Sequence, residues 1–385
     1  MRRNAKSNRI EWYESTAALP ADWDTFLPQT HFLKGSSLEV HESTALPHLH
    51  TIYAAVRQEE QLVAQAAFQV LTLQPAHLNK SAFKKWQYAA WKVFAKSTHP
   101  KLLVAGQLFR HDVSSFFWTD ARTPFEAFND YRRIMHLALK KTCAQAVLVK
   151  ESPEAFVPYF QHYTPEYLLL RNDSSMQLDV WEEWQTFSDY EKSLKHKYAQ
   201  RLRKVRQSWD ALEVRELDAL AVEENAAALY ELYLQVTANQ PVRLGLLSKN
   251  FLPALKKYYG SKLKIWGIYE AGKMIAFASA WVRERSFDMF YIGFDYKRNS
   301  ELQLYFNLLF FAIEQAIALR KPQLLLGRTA LEAKARVGCR PEYLHTFLFI
   351  KNPLIRTMVS RLQQRFTETT GEWENRHPFK KEPAQ

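Results

Sequence analysis

Glycine is scarce in this chain, 10 of 385 residues or about 2.6%, against roughly 7% in average usage. Neither Gly-x-Gly-x-x-Gly nor Gly-x-x-x-x-Gly-Lys-Ser/Thr occurs, which argues against an enzyme built on glycine-rich phosphate loops. The two cysteines, Cys143 and Cys339, lie far apart. They exclude a disulfide framework or a Cys-x-x-Cys site and fit a reducing compartment. No His-Glu-x-x-His occurs among the twelve histidines, and His48 and His50 share a strand face without a third ligand nearby, so no metal is expected. A Gly-x-Ser-x-Gly nucleophile elbow is also missing. The longest apolar stretch, Leu308 to Leu319, is interrupted by Glu314 and Gln315 and falls short of the roughly 20 residues of a membrane span. The N-terminal MRRNAKSNR is basic but has no apolar core of signal-peptide type. A soluble, cytoplasmic protein is expected, with room for a peripheral position at the inner membrane face.

What is present is ample apolar material, 47% hydrophobic and 14% aromatic, enough for two domains. Charge is concentrated. Lys80, Lys84, Lys85, Lys92, Lys96 and Lys101 form one acid-free stretch, and Lys192, Lys195, Lys197, Arg201, Arg203, Lys204 and Arg206 form another. These thirteen cations against a formal net charge of +12 leave the remaining chain at −1. Two local basic patches on a neutral protein suit an anionic partner, although each also reads as a solvated helix face.

The two halves share a plan. Thr51–Leu73 reads as a β-hairpin around QEEQ, and Leu263–Val282 as another around AGK. Leu62-Val63-Ala64-x-Ala66 aligns with Met274-Ile275-Ala276-x-Ala278 at an offset of 212 residues (274 − 62). Each half continues with an aromatic strand (SSFFW, MFYIG), a long helix and a short apolar strand, QAVLVK from Gln145 and QLLLGR from Gln323, now offset by 178 (323 − 145). The missing 34 residues (212 − 178) correspond to an insertion in the first half, the lysine-rich segment near 75–101. Capping boxes are read at Thr123-Pro124-x-Glu126, Ser188-x-x-Glu191 and Ser300-x-x-Gln303. The second half is expected to run strand Met176–Val180, helix Asp189–Trp209, strand Leu212–Glu216, helices Val222–Thr237 and Lys249–Tyr259, then the hairpin. A strand at Phe290, a helix Glu301–Arg320, a strand at Leu324 and a last strand Tyr343–Ile350 complete it. This order predicts an α/β protein with mixed, mostly antiparallel sheets flanked by helices, in two domains, 1–172 and 173–385.

At this level the chain resembles the GNAT fold in its duplicated form, as in the Fem-type aminoacyl transferases and FemAB-like acyltransferases. The resemblance is carried by WQTFSDYEKSLKHKYAQRLRKV (Trp184–Val205), IWGIYEAGKMIAFASAW, MFYIGFD and LLLGRTALEAKARVGCRPEYL, the last similar to the family's Gly-x6-Lys-x3-Gly pattern through Gly327, Lys334 and Gly338. It covers residues 172–350 in detail and the first half in outline. It implies transfer of an acyl or aminoacyl group to an amine or hydroxyl. Acyl-CoA-dependent members carry Arg/Gln-x-x-Gly-x-Gly/Ala between the fourth strand and the next helix. Here that place reads DYKRNSELQ (Asp295–Gln303) and TDARTPFEA (Thr119–Ala127), without glycine. Acyl-CoA as donor is therefore in doubt, and aminoacyl-tRNA or another activated donor stays open.

Candidate site residues follow. On the helix expected from Asp189, Leu194, Tyr198, Leu202, Val205 and Trp209 trace a buried face, and Lys197, Arg201 and Lys204 an adjacent cationic stripe suited to the phosphates of a nucleotide- or lipid-linked acceptor or a tRNA. The resemblance points to Lys334, a cation placed to stabilise an oxyanion, with Arg328 assisting or holding the loop. Asp295 and Tyr291, on or just after the aromatic strand, are candidates to accept or orient the proton of the attacking amine. Lys297 and Arg298 form a modest anion site ahead of the Glu301 helix. Cys339 reads as a small buried hydrophobe. In the insertion, Phe83, Trp86, Ala90, Val93 and Phe94 share a helical face among lysines, the composition of an interfacial membrane segment or of a lid packed on its own domain. The competing overall reading is a non-catalytic nucleic-acid or membrane-surface binding protein that keeps the fold.

Overall fold

The computed structural model of the chain describes residues 8–110, 113–170, 174–369 and 376–381. In chain order the strands are β1 (Arg9–Tyr13), β2 (Leu49–Gln58), β3 (Gln61–Thr72), β4 (Lys101–Ala105), β5 (Phe116–Trp118), β6 (Ala146–Val149), β7 (Leu168–Leu169) and β8 (Ser174–Asp179). They continue with β9 (Glu213–Glu216), β10 (Leu263–Glu270), β11 (Lys273–Val282), β12 (Ser286–Phe294), β13 (Gln323–Gly327), β14 (Arg340–Tyr343) and β15 (Phe347–Ile350). The helices are α1 (Gly35–Ser43), α2 (Lys85–Thr98), α3 (Pro124–Lys141), α4 (Val157–Tyr163), α5 (Phe187–Ser193), α6 (His196–Arg206) and α7 (Ala219–Glu224). After them come α8 (Ala226–Thr237), α9 (Phe251–Tyr259), α10 (Tyr296–Leu302), α11 (Leu304–Ala318), α12 (Leu331–Ala335) and α13 (Pro353–Thr369).

The chain forms two units, one of Met1–Asn172, Pro241–Ser248 and Leu344–Glu368, the other of Asp173–Gln240, Lys249–Tyr343 and Thr369–Gln385. The chain first passes from one to the other at the division expected near residue 172, but neither unit is one continuous stretch. Each holds one mixed sheet flanked by helices. In the first unit the order is β1-β2-β3-β4-β6-β15-β7, with β5 also on β3; in the second it is β14-β8-β13-β12-β11-β10-β9. Among the described residues each sheet has a single parallel pairing, β4 with β6 and β12 with β13.

The duplication is visible in the backbone. Both hairpins turn through two residues with positive φ, Glu59-Glu60 and Ala271-Gly272, the geometry that matches the twist of paired strands. Both carry a register shift at the same place, between Val56 and Arg57 opposite Ala64 and Leu62, and between Ile268 and Tyr269 opposite Ala276 and Met274. The 212-residue offset thus holds for a bulge as well as for side chains. Along β2, Ile52, Ala54 and Val56 pack into the core beneath α3, while Tyr53 and Ala55 join Trp23, Leu33 and Leu38 on the other face. A sheet covered on both faces needs apolar residues at successive positions, which β3 supplies. In the second unit α11 is apolar nearly all round and its buried side chains join the main core, as its composition predicts.

Several expected boundaries shift. Thr123 and Glu126 do form the capping box of α3. The box before α5 is Thr186 with Asp189, not Ser188 with Glu191; Glu191 instead pairs with Arg203 at 2.8 Å. Ser300 and Gln303 form no box: Asp295 caps α10, and Gln303, with φ 48°, is the hinge between α10 and α11. The helix expected over Asp189–Trp209 breaks at Leu194-Lys195, both extended, because residues near the C-terminus bind there: the Lys195 N–H donates to the Pro378 carbonyl and Leu194 bridges Phe379. The helix expected over Val222–Thr237 starts earlier, at Ala219, and is interrupted at Asn225. The expected last strand Tyr343–Ile350 is two strands in different sheets. The polar, proline-containing RPEY of β14 lies at a sheet edge, whereas the apolar FLFI of β15 lies between β6 and β7.

Candidate functional site

In the second unit, β12 and β13 pair in parallel over only three residues, Ser286–Asp288 against Gln323–Leu325. Beyond them β12 stays with β11, while β13, paired with β8 from Gln323 on, continues along β8 through a register shift between Leu325 and Gly327. The carboxyl ends of two parallel strands therefore part, the kind of place where open sheets bind ligands. Tyr291 and Asp295 come from one strand end and Arg328 from the other.

Asp295 is committed as a helix cap, its carboxylate accepting the Lys297 N–H at 2.9 Å. Tyr291 packs among the rings of Tyr233, Phe251 and Phe290, while its N–H donates to the Ser279 hydroxyl, which donates in turn to the Tyr291 carbonyl. Burial, with Tyr233 alongside, holds its phenol well above the usual tyrosine range. It is therefore a neutral group that can donate or orient but does not accept a proton at neutral pH. The anion site expected at Lys297 and Arg298 is not free either, because the Arg298 guanidinium is paired with Glu270 and Glu301.

Lys334 lies near the C-terminal end of α12 and is only 4% exposed. Its ammonium donates to the Gly327 carbonyl at 3.1 Å, which explains the spacing of the glycine and lysine in the sequence. Burial pushes its pKa down to about 8, opposed in part by Cys339. Cys339 is itself buried, and burial pushes its thiol up to about 12. Tyr305, on α11, faces the same group: burial first, then Cys339 and Tyr296, raise its phenol, and its buried hydroxyl has no hydrogen-bond partner among the described residues.

The basic stripe of α6 reaches the same helix. Lys197, Arg201 and Lys204 are all exposed, while Ala199, Leu202 and Val205 face the core. The Arg201 guanidinium lies over the Phe306 ring at 4.6 Å and makes no ion pair among the described residues. Partial burial and the neighbouring Arg336 lower its pKa. Arg336 and Arg376 share one carboxylate, Glu332, at 3.2 and 2.8 Å. Two guanidiniums thus share one carboxylate at α12, and Arg201 lies near enough to Arg336 to feel its charge. Arg201 lies against Phe306 of α11 and feels the charge of Arg336, which closes the helix that carries Lys334, while Tyr291 and Asp295 lie on the strand and cap described above. Arg336, Tyr305 and Phe379 were not singled out from the sequence; only the Glu332-to-Arg336 spacing of four hinted at one of them.

The glycine-free turns after β5 and β12 are occupied by the chain's own side chains: Glu126 accepts the Thr123 N–H, Asp295 that of Lys297, and Asn299 that of Tyr305. Two of these groups are carboxylates, so the turns do not fit the pyrophosphate of an acyl-CoA held by backbone N–H groups.

No protein-family model and no curated protein matches the chain. In fold, this chain is similar to tandem GNAT proteins. One such solved structure, a tandem GNAT protein from the clavulanic acid biosynthesis pathway, aligns at TM-score 0.48 and 10% identity over 90% of this chain and 99% of that one. FemX aligns at TM-score 0.47 and 9% identity over 81% and 90%. L-PGS from Bacillus licheniformis aligns at TM-score 0.45 and 11% identity over 83% and 90%.

Proposed function

We propose that the chain is an acyl or aminoacyl transferase whose second unit holds an anionic, nucleotide- or lipid-linked acceptor against Arg201. The observation that supports this most is the exposed cationic stripe of α6, where Arg201 lies over the Phe306 ring, makes no ion pair among the described residues and is lowered in pKa by partial burial and by the nearby charge of Arg336. Like charges held together destabilise the free protein unless an anion joins them, and a phosphate matches the planar fork of arginine. Lys197 and Lys204 extend the same stripe. Lys334, protonated for the most part at neutral pH, stabilises negative charge developing on the donor carbonyl oxygen as an amine or hydroxyl attacks. Arg328 follows Gly327, whose carbonyl accepts from that ammonium. The attack is direct, without an acyl-enzyme, since Cys339 is a buried thiol held neutral; the donor's ester bond breaks as the new amide or ester bond forms, and the proton of the attacking group passes to the departing tRNA hydroxyl. Tyr291 orients through a neutral hydroxyl, and Asp295 maintains the turn. With both turns occupied by carboxylates, aminoacyl-tRNA is favoured over acyl-CoA as donor.

The test is transfer of label from a mixed pool of labelled aminoacyl-tRNA, and in parallel from labelled acetyl-CoA, to nucleotide- and lipid-linked acceptors in a cell extract. Wild-type protein should transfer from the tRNA pool, and the double substitution R201A/K204A should lower transfer about tenfold or more by weakening acceptor binding, about 1.4 kcal/mol. No transfer from either donor, or transfer untouched by the double substitution, overturns the reading.

A further inference from the structure

Helix α2, in the first unit, presents its apolar side to solvent. Trp86, Ala89, Ala90, Val93 and Phe94 recur at the spacing of one helical face, and every one of them is exposed, Trp86 at 68%, Val93 at 69% and Phe94 at 47%. The opposite side carries Tyr88, Trp91 and Ala95, and of the fourteen residues only Ala95 is fully buried. A lid packed on its own domain would show the reverse. Lys85, Lys92 and Lys96 line one flank of the apolar face, with Lys80 and Lys84 just before the helix, all exposed. From Gln61 to His111 the sequence contains no aspartate or glutamate.

We infer that α2 docks this protein on an anionic lipid surface, the apolar face entering the headgroup boundary and the lysines meeting lipid phosphates. The placement of the charges selects this occupant. On a helix lying in a bilayer interface the outermost stripe is apolar and the cations sit beside it at headgroup level, the arrangement seen here. Two copies pairing through the same face would bring their lysine flanks together with no acid in the segment to offset them. A nucleic acid would be met by cations at the centre of the face, where α2 has Trp86, Ala90 and Val93. The inference is independent of the transferase reading, since it concerns the first unit and is read without turnover.

The experiment is co-sedimentation of the full chain with vesicles of phosphatidylcholine alone and of phosphatidylcholine with one-third phosphatidylglycerol, at low and high salt. Wild-type protein should partition onto the anionic vesicles, less so at high salt. W86S/F94S should lower that partition about tenfold or more, and K85Q/K92Q/K96Q about a hundredfold, with the thermal unfolding midpoint unchanged because these side chains are exposed. Absence of partition, equal partition onto both vesicle types, or partition unchanged in either variant overturns the inference. So does a lipid-free dimer abolished by W86S/F94S, which would assign the face to a second copy, or tRNA binding lost in that variant while vesicle binding persists.

Discussion

Replacing Lys334 by methionine keeps most of the side-chain volume and removes a buried ammonium, which makes the cost of that charge measurable. The lysine's folded pKa is about 8 against an ordinary 10.5. Between these values the unfolded chain still binds the proton and the folded chain has released it, so stability rises with pH across the window from about 8 to 10.5. At about 1.36 kcal/mol per pH unit the shift corresponds to about 3 kcal/mol, with little discount for solvent because the side chain is almost fully buried. Cys339 acts in the opposite sense: its thiol, raised from 9 to about 12, makes stability fall as pH rises through that range. Loss of the lysine can only raise this thiol further, so in both folded proteins it stays protonated up to pH 10.5 and its contribution is the same across the window. Urea unfolding of wild type and K334M, followed from about pH 7 to pH 10.5, should therefore show the wild type gaining about 3 kcal/mol relative to the variant. The lost bond to the Gly327 carbonyl lowers the variant by a constant amount and leaves the slope untouched. Curves that stay parallel across the window would refute the burial of a titrating ammonium at this site.

Two further outcomes are expected. Gly338 has φ +98°, and an added Cβ would lie 2.3 Å from the Phe379 ring, so G338A should cost about 2–4 kcal/mol in thermal unfolding. F379A should relieve only the steric share of that cost; an equal loss in both backgrounds would rule out the ring contact. In the first hairpin, Glu60 adopts φ 66° where the second hairpin has Gly272, so E60G should stabilise the protein by about 1 kcal/mol, its exposed pairing with Arg9 counting for little. Unchanged or lower stability in chemical denaturation would contradict the turn geometry.

The hairpins, their offset and the insertion were legible because strand alternation and turn residues are local signals, and the bulge repeated at the same offset gives both hairpins one geometry. The cap at Thr123 was legible for the same reason. Ser188 and Ser300 misled because a capping pattern states only which side chain is able to cap, and nearby Thr186 and Asp295 hold the positions where the helices begin. Among the candidate site residues, the exposed stripe of Lys197, Arg201 and Lys204 followed from helical spacing. The upward shift of the Tyr291 phenol did not, since it depends on the burial that comes as Tyr233, Phe251 and Phe290 close around it.

The sequence by itself determined the repeated strand and helix plan, the two cationic segments and the missing phosphate loops, because each depends on residues within a few positions of one another. Tertiary structure decided which sheet received RPEY and which received FLFI, where the helix before Arg201 breaks, and how strongly Lys334 is desolvated. Those outcomes depend on groups brought together from far along the chain, Phe379 at Leu194 and Gly338, Arg376 at Glu332. Burial, unlike periodicity, exists only after the chain has closed on itself.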